Sequence, residues 1–410
     1  MKTILIKGTM LNGKVVDVLI KGNKFEDIAP NINAIADEEI DARGTAIIPP
    51  FYNGHCHAAM TLLRGYADDL PLDVWLNEHI WPAEDKMVPR DIYVGTRLAV
   101  LEMIKSGTVF FNDMYGMVEE SIKACEEMGI RAQIGISLMD RMGEKDINGR
   151  FEFLHSYRKS ELVSLSVAPH APYTVSKDLF RRCVKEAEKA NVMIHTHLSE
   201  TKKEIDDCMA EHGVSPVELL DSLGILTEKT ALAHVVHTSD SDADILAKRK
   251  CAIVTNPASN MKLCSGAFKF EQHVSRGSNV IIGTDGTSSN NNLSMIEEMK
   301  FAALLSKVND KPTTAPAEMV FDMATKRGAE AFGINAGEIK VGKLADALLL
   351  DLNNERLVPN FNLISNIVYS ADSRCIDTVI CNGQVLMRGG KVKDEDQIIA
   401  DAIEISKKFI

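Results

Sequence analysis

The sequence lacks both long apolar runs and basic runs. No stretch reaches the roughly 18 continuous apolar residues that a transmembrane helix needs. No lysine- or arginine-rich run occurs, and the formal net charge is −12. Nucleic-acid-binding proteins usually present a basic face, so this balance argues against a polyanionic partner. We therefore expect neither a membrane nor a nucleic acid as a partner.

Cysteine is sparse and scattered. The 410 residues include eight cysteines and no C-x-x-C pair, which is too few and too dispersed for a secreted disulfide scaffold. The amino-terminal segment MKTILIKGTMLNGK carries three lysines, and no apolar stretch of signal-peptide length fits between them. We expect free thiols and a cytoplasmic protein.

The sequence does contain a repeated alternation of short apolar runs and amphipathic segments. There are eight such β-branched runs, each ending in polar residues: TAIIPPFYNGHCH, GTVFFNDMY, IRAQIGIS, LVSLSVAPHAPYT, VMIHTHLSE, TALAHVVHTS, CAIVTNPAS and NVIIGTDG. Strand–helix alternation of this kind is typical of a closed (β/α)₈ barrel. A doubly wound open sheet is the competing interpretation, but it rarely needs eight parallel strands. We predict an α/β protein with a TIM barrel over residues 50–336.

The two ends of the chain have a different pattern. Residues 1–49 and 337–410 alternate apolar and polar residues around turns, which is typical of short antiparallel strands. Neither end has enough strands to bury a core by itself. We predict that the two ends combine into one small β-sandwich domain beside the barrel.

Metal-ligand and acid–base residue types stand at the ends of several predicted barrel strands. In chain order they are His55, His57, His195, His197, Glu200, His234, His237 and Asp285. The carboxyl ends of parallel strands converge on one face of a barrel, so these residues can form one set. Residues two apart on a strand point to the same side, so His55 and His57 can reach one ion while Cys56 points away.

Three or four nitrogen and oxygen ligands around an open position are typical of a catalytic zinc or iron site. Such an ion lowers the pKa of water from about 15.7 toward about 7, and a nearby histidine and acid would carry protons. Each motif alone has a structural explanation, since His-x-His pairs are often packing residues and Thr-Asp-Gly is ordinary turn chemistry. We interpret His195 and His237 as structural residues or as neighbours of the ligands, and not as ligands. Ligand-type residues at four strand ends favour a shared metal.

Longer motifs run in order along nearly the whole chain. They are PPFYNGHCHAAMTLLRGYADDLPLDVWLNEHIWPAE, APHAPYTVS, IHTHLSET, NPASNMKLCSG, GTDGTSSNNNLSM and GKLADALLLD. In these motifs the sequence resembles the amidohydrolase superfamily, and within it the S-adenosylhomocysteine/5′-methylthioadenosine deaminases and the related triazine chlorohydrolases.

The resemblance implies one divalent metal per subunit, zinc first, with iron or manganese as alternatives. Its implied ligands are His55, His57, His197 and Asp285. Glu200 matches the acid that protonates a purine ring nitrogen, and His234 matches the histidine that works with Asp285 in activating water. A two-metal site usually needs a carboxylated lysine from the fourth strand, and that run contains no lysine.

The resemblance also implies substrate contacts, to which Glu200 and Asp285 contribute. Glu84 in WPAE matches a carboxylate that accepts hydrogen bonds from ribose hydroxyls, and His170 in APHAP matches a substrate-contacting histidine. Relatives that accept S-adenosylhomocysteine hold its carboxylate with two arginines. Arg150 stands where one is expected; the other position, within GISLM, is not arginine, and Arg141 is the alternative.

The implied activity is hydrolytic deamination of a small nucleoside by a homo-oligomeric enzyme. The substrates are 5′-methylthioadenosine, S-adenosylhomocysteine, 5′-deoxyadenosine or adenosine. One alternative is another amino- or chloro-substituted heterocycle such as a triazine, guanine or a pterin, which would give Glu84 no ribose to bind. A cytidine-deaminase fold is excluded, because its H-x-E and P-C-x-x-C signature is absent. A non-catalytic amidohydrolase-like binding protein would have lost ligands that this chain retains.

Overall fold

The computed structural model describes residues 1–409. The strands in this range are β1 Thr3–Leu11, β2 Lys14–Lys21, β3 Lys24–Ala29, β4 Glu38–Asp41, β5 Thr45–Ile48, β6 Phe51–Cys56, β7 Thr108–Tyr115, β8 Arg131–Leu138, β9 Val163–Pro169, β10 Met193–Leu198, β11 Thr230–His234, β12 Ala252–Thr255, β13 Asn279–Ile282, β14 Ala347–Asp351, β15 Ile376–Cys381, β16 Gln384–Arg388 and β17 Lys391–Val392.

The α-helices in the same range are α1 Leu72–Val74, α2 Trp81–Glu84, α3 Pro89–Lys105, α4 Val118–Met128, α5 Glu144–Ser156, α6 Lys177–Ala190, α7 Lys202–His212, α8 Pro216–Ser222, α9 Asp240–Arg249, α10 Pro257–Lys262, α11 Phe270–Val274, α12 Met295–Asn309, α13 Ala317–Ala324, α14 Lys326–Ala331, α15 Leu363–Tyr369 and α16 Glu395–Ser406. Short 3₁₀-helices span Ala58–Leu63, Asp140–Met142, Glu355–Leu357, Ser373–Cys375 and Lys407–Phe409, and Trp75–Ile80 is a π-helix. None of the helices in residues 1–409 combines the length and apolar character that crossing a bilayer requires.

Strands β6 to β13 form one parallel sheet in sequential order, and they correspond to the eight predicted runs. Every residue of β7 and β8 is buried. Parallel strands are buried on both faces, because helices cover the outside of a barrel and side chains fill its interior. The predicted (β/α)₈ barrel is confirmed.

Hydrogen bonds from residues that follow β13 close the barrel against β6. The Asn53 side chain accepts from the Thr284 backbone N–H at 3.0 Å and donates to the Thr284 hydroxyl at 2.7 Å. The carbonyl of His55 accepts from the N–H groups of Thr284 and Asp285 at 3.2 and 3.0 Å. This seam places the end of the first barrel strand beside the residues that follow the last one.

Both ends of the chain contribute to a second, mixed sheet of nine strands. Its order is β17-β16-β15-β14-β5-β1-β2-β3, and β4 pairs with β1. The chain ends meet where β14 runs antiparallel to β5, with Leu349 opposite Ile47. A separate β unit built from both ends is therefore confirmed, while its boundaries at residues 49 and 337 stay a prediction. All eight cysteines are free thiols.

A buried ion pair joins the two sheets. Arg131 at the start of β8 donates to Asp346, just before β14, at 2.5 Å. Tyr52 donates to the same carboxylate at 2.9 Å, and the N–H of Asn382 donates to its other oxygen at 2.6 Å. The Arg131 and Asp346 side chains are only 7% and 0% exposed. Removing one partner would leave a buried charge uncompensated.

We expect Asp346→Asn to destabilise the protein by about 3–5 kcal/mol, because Arg131 would remain buried without a counter-charge. Urea and thermal unfolding midpoints measure this loss. A matched control is Asp207→Asn, which breaks the exposed Lys203–Asp207 pair and should barely move either midpoint. Equal shifts in the two variants would contradict the prediction.

Candidate active site

The barrel brings the four predicted ligand residues close together. The Nε2 atoms of His55 and His57 lie 3.3 and 3.2 Å from Oδ1 of Asp285. The Nε2 atom of His57 lies 3.3 Å from that of His197. All four side chains are buried, although β6, β10 and the segment after β13 are far apart in the chain. Strand convergence in the barrel produces this cluster.

The second ring nitrogen of each histidine has its own partner. The Nδ1 atom of His57 lies 2.6 Å from the carbonyl of Met114, and that of His197 lies 2.7 Å from the carbonyl of His170. A carbonyl can only accept, so each Nδ1 carries a proton, and in the neutral imidazole each Nε2 then has a free lone pair. Partners of this kind fix the tautomer of metal-binding histidines.

His55 has the corresponding arrangement with another histidine. Its Nδ1 atom lies 2.8 Å from Nε2 of His195, and its own Nε2 is buried with no hydrogen-bond partner among the described residues. A buried imidazole nitrogen facing two others and a carboxylate is suited to a cation. The donor set of three imidazoles and one carboxylate can hold a divalent transition metal.

The surroundings of the Asp285 carboxylate favour its ionised form. Burial opposes ionisation, but the imidazoles of His55 and His57, 3.3 and 3.2 Å away, outweigh it and hold the pKa of Asp285 well below its usual range. The hydroxyls of Ser259 and Ser289 donate to Oδ2 at 2.6 and 3.1 Å. Both carboxylate oxygens of Asp285 therefore have polar neighbours.

Two acid–base side chains flank Asp285. Nε2 of His234 lies 4.0 Å from Oδ2 of Asp285 and 3.8 Å from Oε2 of Glu200. Nδ1 of His234 lies 2.8 Å from Oδ1 of Asn260, so Nε2 is free to accept a proton. Burial raises the pKa of Glu200, which accepts a hydrogen bond from the Ser265 hydroxyl at 3.2 Å. A carboxyl group with a raised pKa suits proton donation.

These residues line one cavity of about 240 Å³ at the carboxyl end of the barrel. The predicted residues in its wall are His57, Glu84, Arg141, Arg150, His170, His197, Glu200, His234 and Asp285, while His55 lies behind them. The rest of the wall is mainly apolar and includes two tryptophans, two tyrosines and six methionines. Large apolar residues at helical spacing look like core, so sequence patterns did not mark them as cavity residues.

Glu84 lies at the end of an unusual helix. Residues 72–84 are helical throughout, but Trp75–Ile80 is a π-helix between α1 and α2. Pro82 lacks an N–H and its ring crowds the carbonyl four residues earlier, which accounts for the wider turn. Burial raises the pKa of Glu84, and a hydrogen bond from Tyr115 partly offsets this effect. Oε1 of Glu84 is buried and unpaired in the described part of the chain.

The two candidate arginines have different surroundings. Arg150 is largely buried; it donates to the carbonyl of Ser137 at 2.8 Å, and burial lowers its pKa. The Arg141 side chain is 42% exposed, lies 4.8 Å from the ring centre of Trp81 and lies 3.5 Å from Asp85. Arg150 is thus inside the cavity, whereas Arg141 is at its rim.

Two other histidines complete the description of the site. The ring of His170 lies 4.7 Å from that of His197, and burial lowers its pKa to about 3, so it is neutral. His237 lies 2.6 Å from the carbonyl of Ser265 and is not part of the ligand cluster. The contacts of His195 with the ring of His55 and of His237 with the carbonyl of Ser265 are those of structural residues or of neighbours of the ligands. The Asp285 donors Ser259 and Ser289 were not foreseen, since small polar residues in loops carry no distinctive signal.

The chain is similar to known proteins over its whole length. The amidohydrolase family model matches residues 46–386. A 5′-deoxyadenosine deaminase of Methanosphaera stadtmanae is 43% identical, with 97% of this chain and 96% of the relative covered. A 5-methylthioadenosine/S-adenosylhomocysteine deaminase of Thermococcus sibiricus is 46% identical, with 93% and 92% covered. An adenosine deaminase from Xanthomonas campestris, solved with bound zinc, aligns with a TM-score of 0.94 at 30% identity, covering 99% and 98% of the two chains.

We expect His197→Ala to abolish metal retention, because it removes one of the clustered imidazoles. Freshly purified wild-type protein should hold about one divalent cation per chain, and the dialysed variant about a tenth of that or less. Elemental analysis by mass spectrometry measures both. His155→Ala removes an exposed imidazole and should retain the wild-type content. Metal-free wild-type protein, or full retention by His197→Ala, would refute the assignment.

Proposed function

Because the chain belongs to the amidohydrolase family, we propose that it hydrolytically deaminates the adenine ring of 5′-modified adenosines. The substrates are 5′-deoxyadenosine, 5′-methylthioadenosine, S-adenosylhomocysteine or adenosine, and the products are the inosine analogue and ammonia. The observation that carries this proposal is one cavity that combines a metal-type donor set, a buried acid and the half-buried carboxylate of Glu84, whose buried Oε1 has no partner among the described residues. The deaminase names of both relatives support it.

We assign one divalent cation to His55, His57, His197 and Asp285. Zinc is the preferred ion, since the similar adenosine deaminase contains it, and iron and manganese suit the same donors. When bound, such a cation activates water at neutral pH.

The acid–base residues of the chain move the protons. The oxygen of water adds to purine C6 while Glu200, whose pKa is raised by burial, donates a proton to the adjacent ring nitrogen. This donation prevents negative charge from building up on the ring. Asp285 and His234 take a proton from the water and deliver it to the amino group, the C6–N bond breaks, and ammonia leaves. The second proton of the water restores Glu200.

Glu84 holds the ribose in this proposal. Its unpaired Oε1 and its neighbouring oxygen can accept hydrogen bonds from the two ribose hydroxyls. Binding at this remote end orients C6 toward the cluster. A triazine, guanine or pterin has no ribose and would leave the carboxylate unpaired, so this residue favours a nucleoside.

The remaining substrate contacts are assigned by position. His170 lines the cavity next to His197 and is placed against the purine or ribose. Arg150 is assigned to the 5′ substituent because it lies inside the cavity, while Arg141 is engaged by Trp81 and Asp85 at the rim. A cytoplasmic location and a homo-oligomeric state stay predictions.

We expect ammonia release from the four adenosine derivatives and none from guanine or a triazine. Glu84→Ala should lower kcat/KM for these nucleosides by about 10²-fold, because it removes charged hydrogen bonds to the ribose. A matched control is Glu78→Ala, which changes an exposed carboxylate one and a half turns earlier and should stay within about twofold. Unchanged nucleoside turnover in Glu84→Ala, or a preference for a triazine, would overturn the nucleoside assignment.

We expect Glu200→Gln to lower kcat by about 10²- to 10⁴-fold with little change in KM, because the variant lacks the proton donor but keeps the shape. Steady-state kinetics with 5′-deoxyadenosine measure the loss, and metal content should equal that of the wild type. Glu211→Gln, at an exposed position of α7, serves as the control. Retention of more than about a tenth of kcat by Glu200→Gln would rule out its role as the acid.

A further inference from the structure

Glu204 is a buried carboxylate to which the proposed chemistry gives no role. It lies in the first turn of α7, four residues after Glu200, and is 4% exposed. Carboxylates are almost never buried unless they are paired, so its hydrogen bonds show what it does.

The sequence around Glu204 predicts a capping box. Thr201 is the N-cap of α7, and its hydroxyl accepts from the N–H of Glu204 at 3.1 Å. In a capping box, a glutamate at this position reaches back to the N–H of the cap residue itself. Here the two oxygens of Glu204 instead accept from the N–H groups of Ser199 and Glu200, each at 2.8 Å. The Glu204 carboxylate therefore does not accept from the N–H of the cap residue Thr201. It accepts from the two residues of the turn before it.

This turn has little other support for its backbone N–H groups. Strand β10 ends at Leu198, and Ser199 has a φ of 53°, a left-handed conformation that is strained for a serine. The carbonyl of Ser199 accepts from the N–H groups of Val236 and His237 at 3.0 and 2.9 Å. The segment after β11 therefore holds the carbonyl side of the turn, and Glu204 holds the N–H side.

We propose that Glu204 is a positioning residue that holds the backbone of Ser199 and Glu200, so that the Glu200 side chain is aimed at the reacting ring. This inference rests on the proposed function, in which Glu200 donates the proton. The aimed carboxyl lies 3.2 Å from Ser265 and 3.8 Å from His234. Without Glu204, two buried N–H groups lose their acceptors and the strained turn can relax. Displacement of a reacting group by about 1 Å can cost about 10²-fold in rate.

The test compares Glu204→Ala, Glu204→Gln and Thr201→Ala. Thr201→Ala is the matched control, because it weakens the start of the same helix but leaves both bonds to the turn. We expect Glu204→Ala to lower kcat for 5′-deoxyadenosine by about 10²-fold, with KM within about threefold, while Thr201→Ala stays within about threefold in both. Glu204→Gln keeps one acceptor oxygen and should lie between the two, even if the alanine variant folds poorly. Metal content and the thermal midpoint are measured for each variant.

A double-mutant comparison tests whether Glu204 acts through Glu200. Adding Glu204→Ala to Glu200→Gln should cost no further rate, because the group being positioned is already absent. Losses that multiply, or equal losses of kcat in Glu204→Ala and Thr201→Ala, would overturn the inference. Wild-type activity is measured first: an inactive wild type overturns the proposed function, whereas an active wild type with an unimpaired Glu204→Ala overturns only the role of Glu204.

Discussion

Closure of the barrel between β6 and β13 is the constraint on which the site depends. The side chain of Asn53 forms hydrogen bonds with both the hydroxyl and the backbone N–H of Thr284, which lies 231 positions away in the chain. One step further along, the carbonyl of His55 accepts from the N–H of Asp285. The same backbone contacts that close the sheet therefore set the distance between an imidazole and the carboxylate beside it. If the barrel did not close between these strands, the predicted metal-binding residues His55 and Asp285 would be separated as well.

The chemistry of the cavity follows from two carboxyl groups in different surroundings. Burial opposes ionisation of Asp285, but the imidazoles of His55 and His57 hold its pKa well below its usual range, whereas burial raises the pKa of Glu200. Environments that push two pKa values apart separate a base from an acid. His234 lies within 4.0 Å of both carboxylates and links them. The wall around these groups is mainly apolar, and a low local dielectric constant strengthens each of these interactions.

Much of the fold could be predicted from the sequence, because strand and helix periodicities are local properties. The eight apolar runs became β6 to β13 in order, and ligand types at their ends, such as His57 and His197, converge as a barrel requires. The cavity wall could not be predicted in the same way. Trp81 and the π-helix before it have a pattern that is equally typical of a core helix, and only the packing across the barrel mouth turns them toward the site.

The sequence by itself, through its periodicities and its family motifs, was thus enough to predict the types of the site residues and the order of the barrel strands. The tertiary structure decided where each of several equivalent residues lies. It puts Arg150 inside the cavity and Arg141 at the rim, and it sets His195 behind His55. The position of Glu204 in the sequence predicts that it accepts from the N–H of the cap residue Thr201. In the structure Glu204 accepts instead from the N–H groups of Ser199 and Glu200. These outcomes depend on contacts between segments that are distant in the chain, and local patterns hold no information about such contacts.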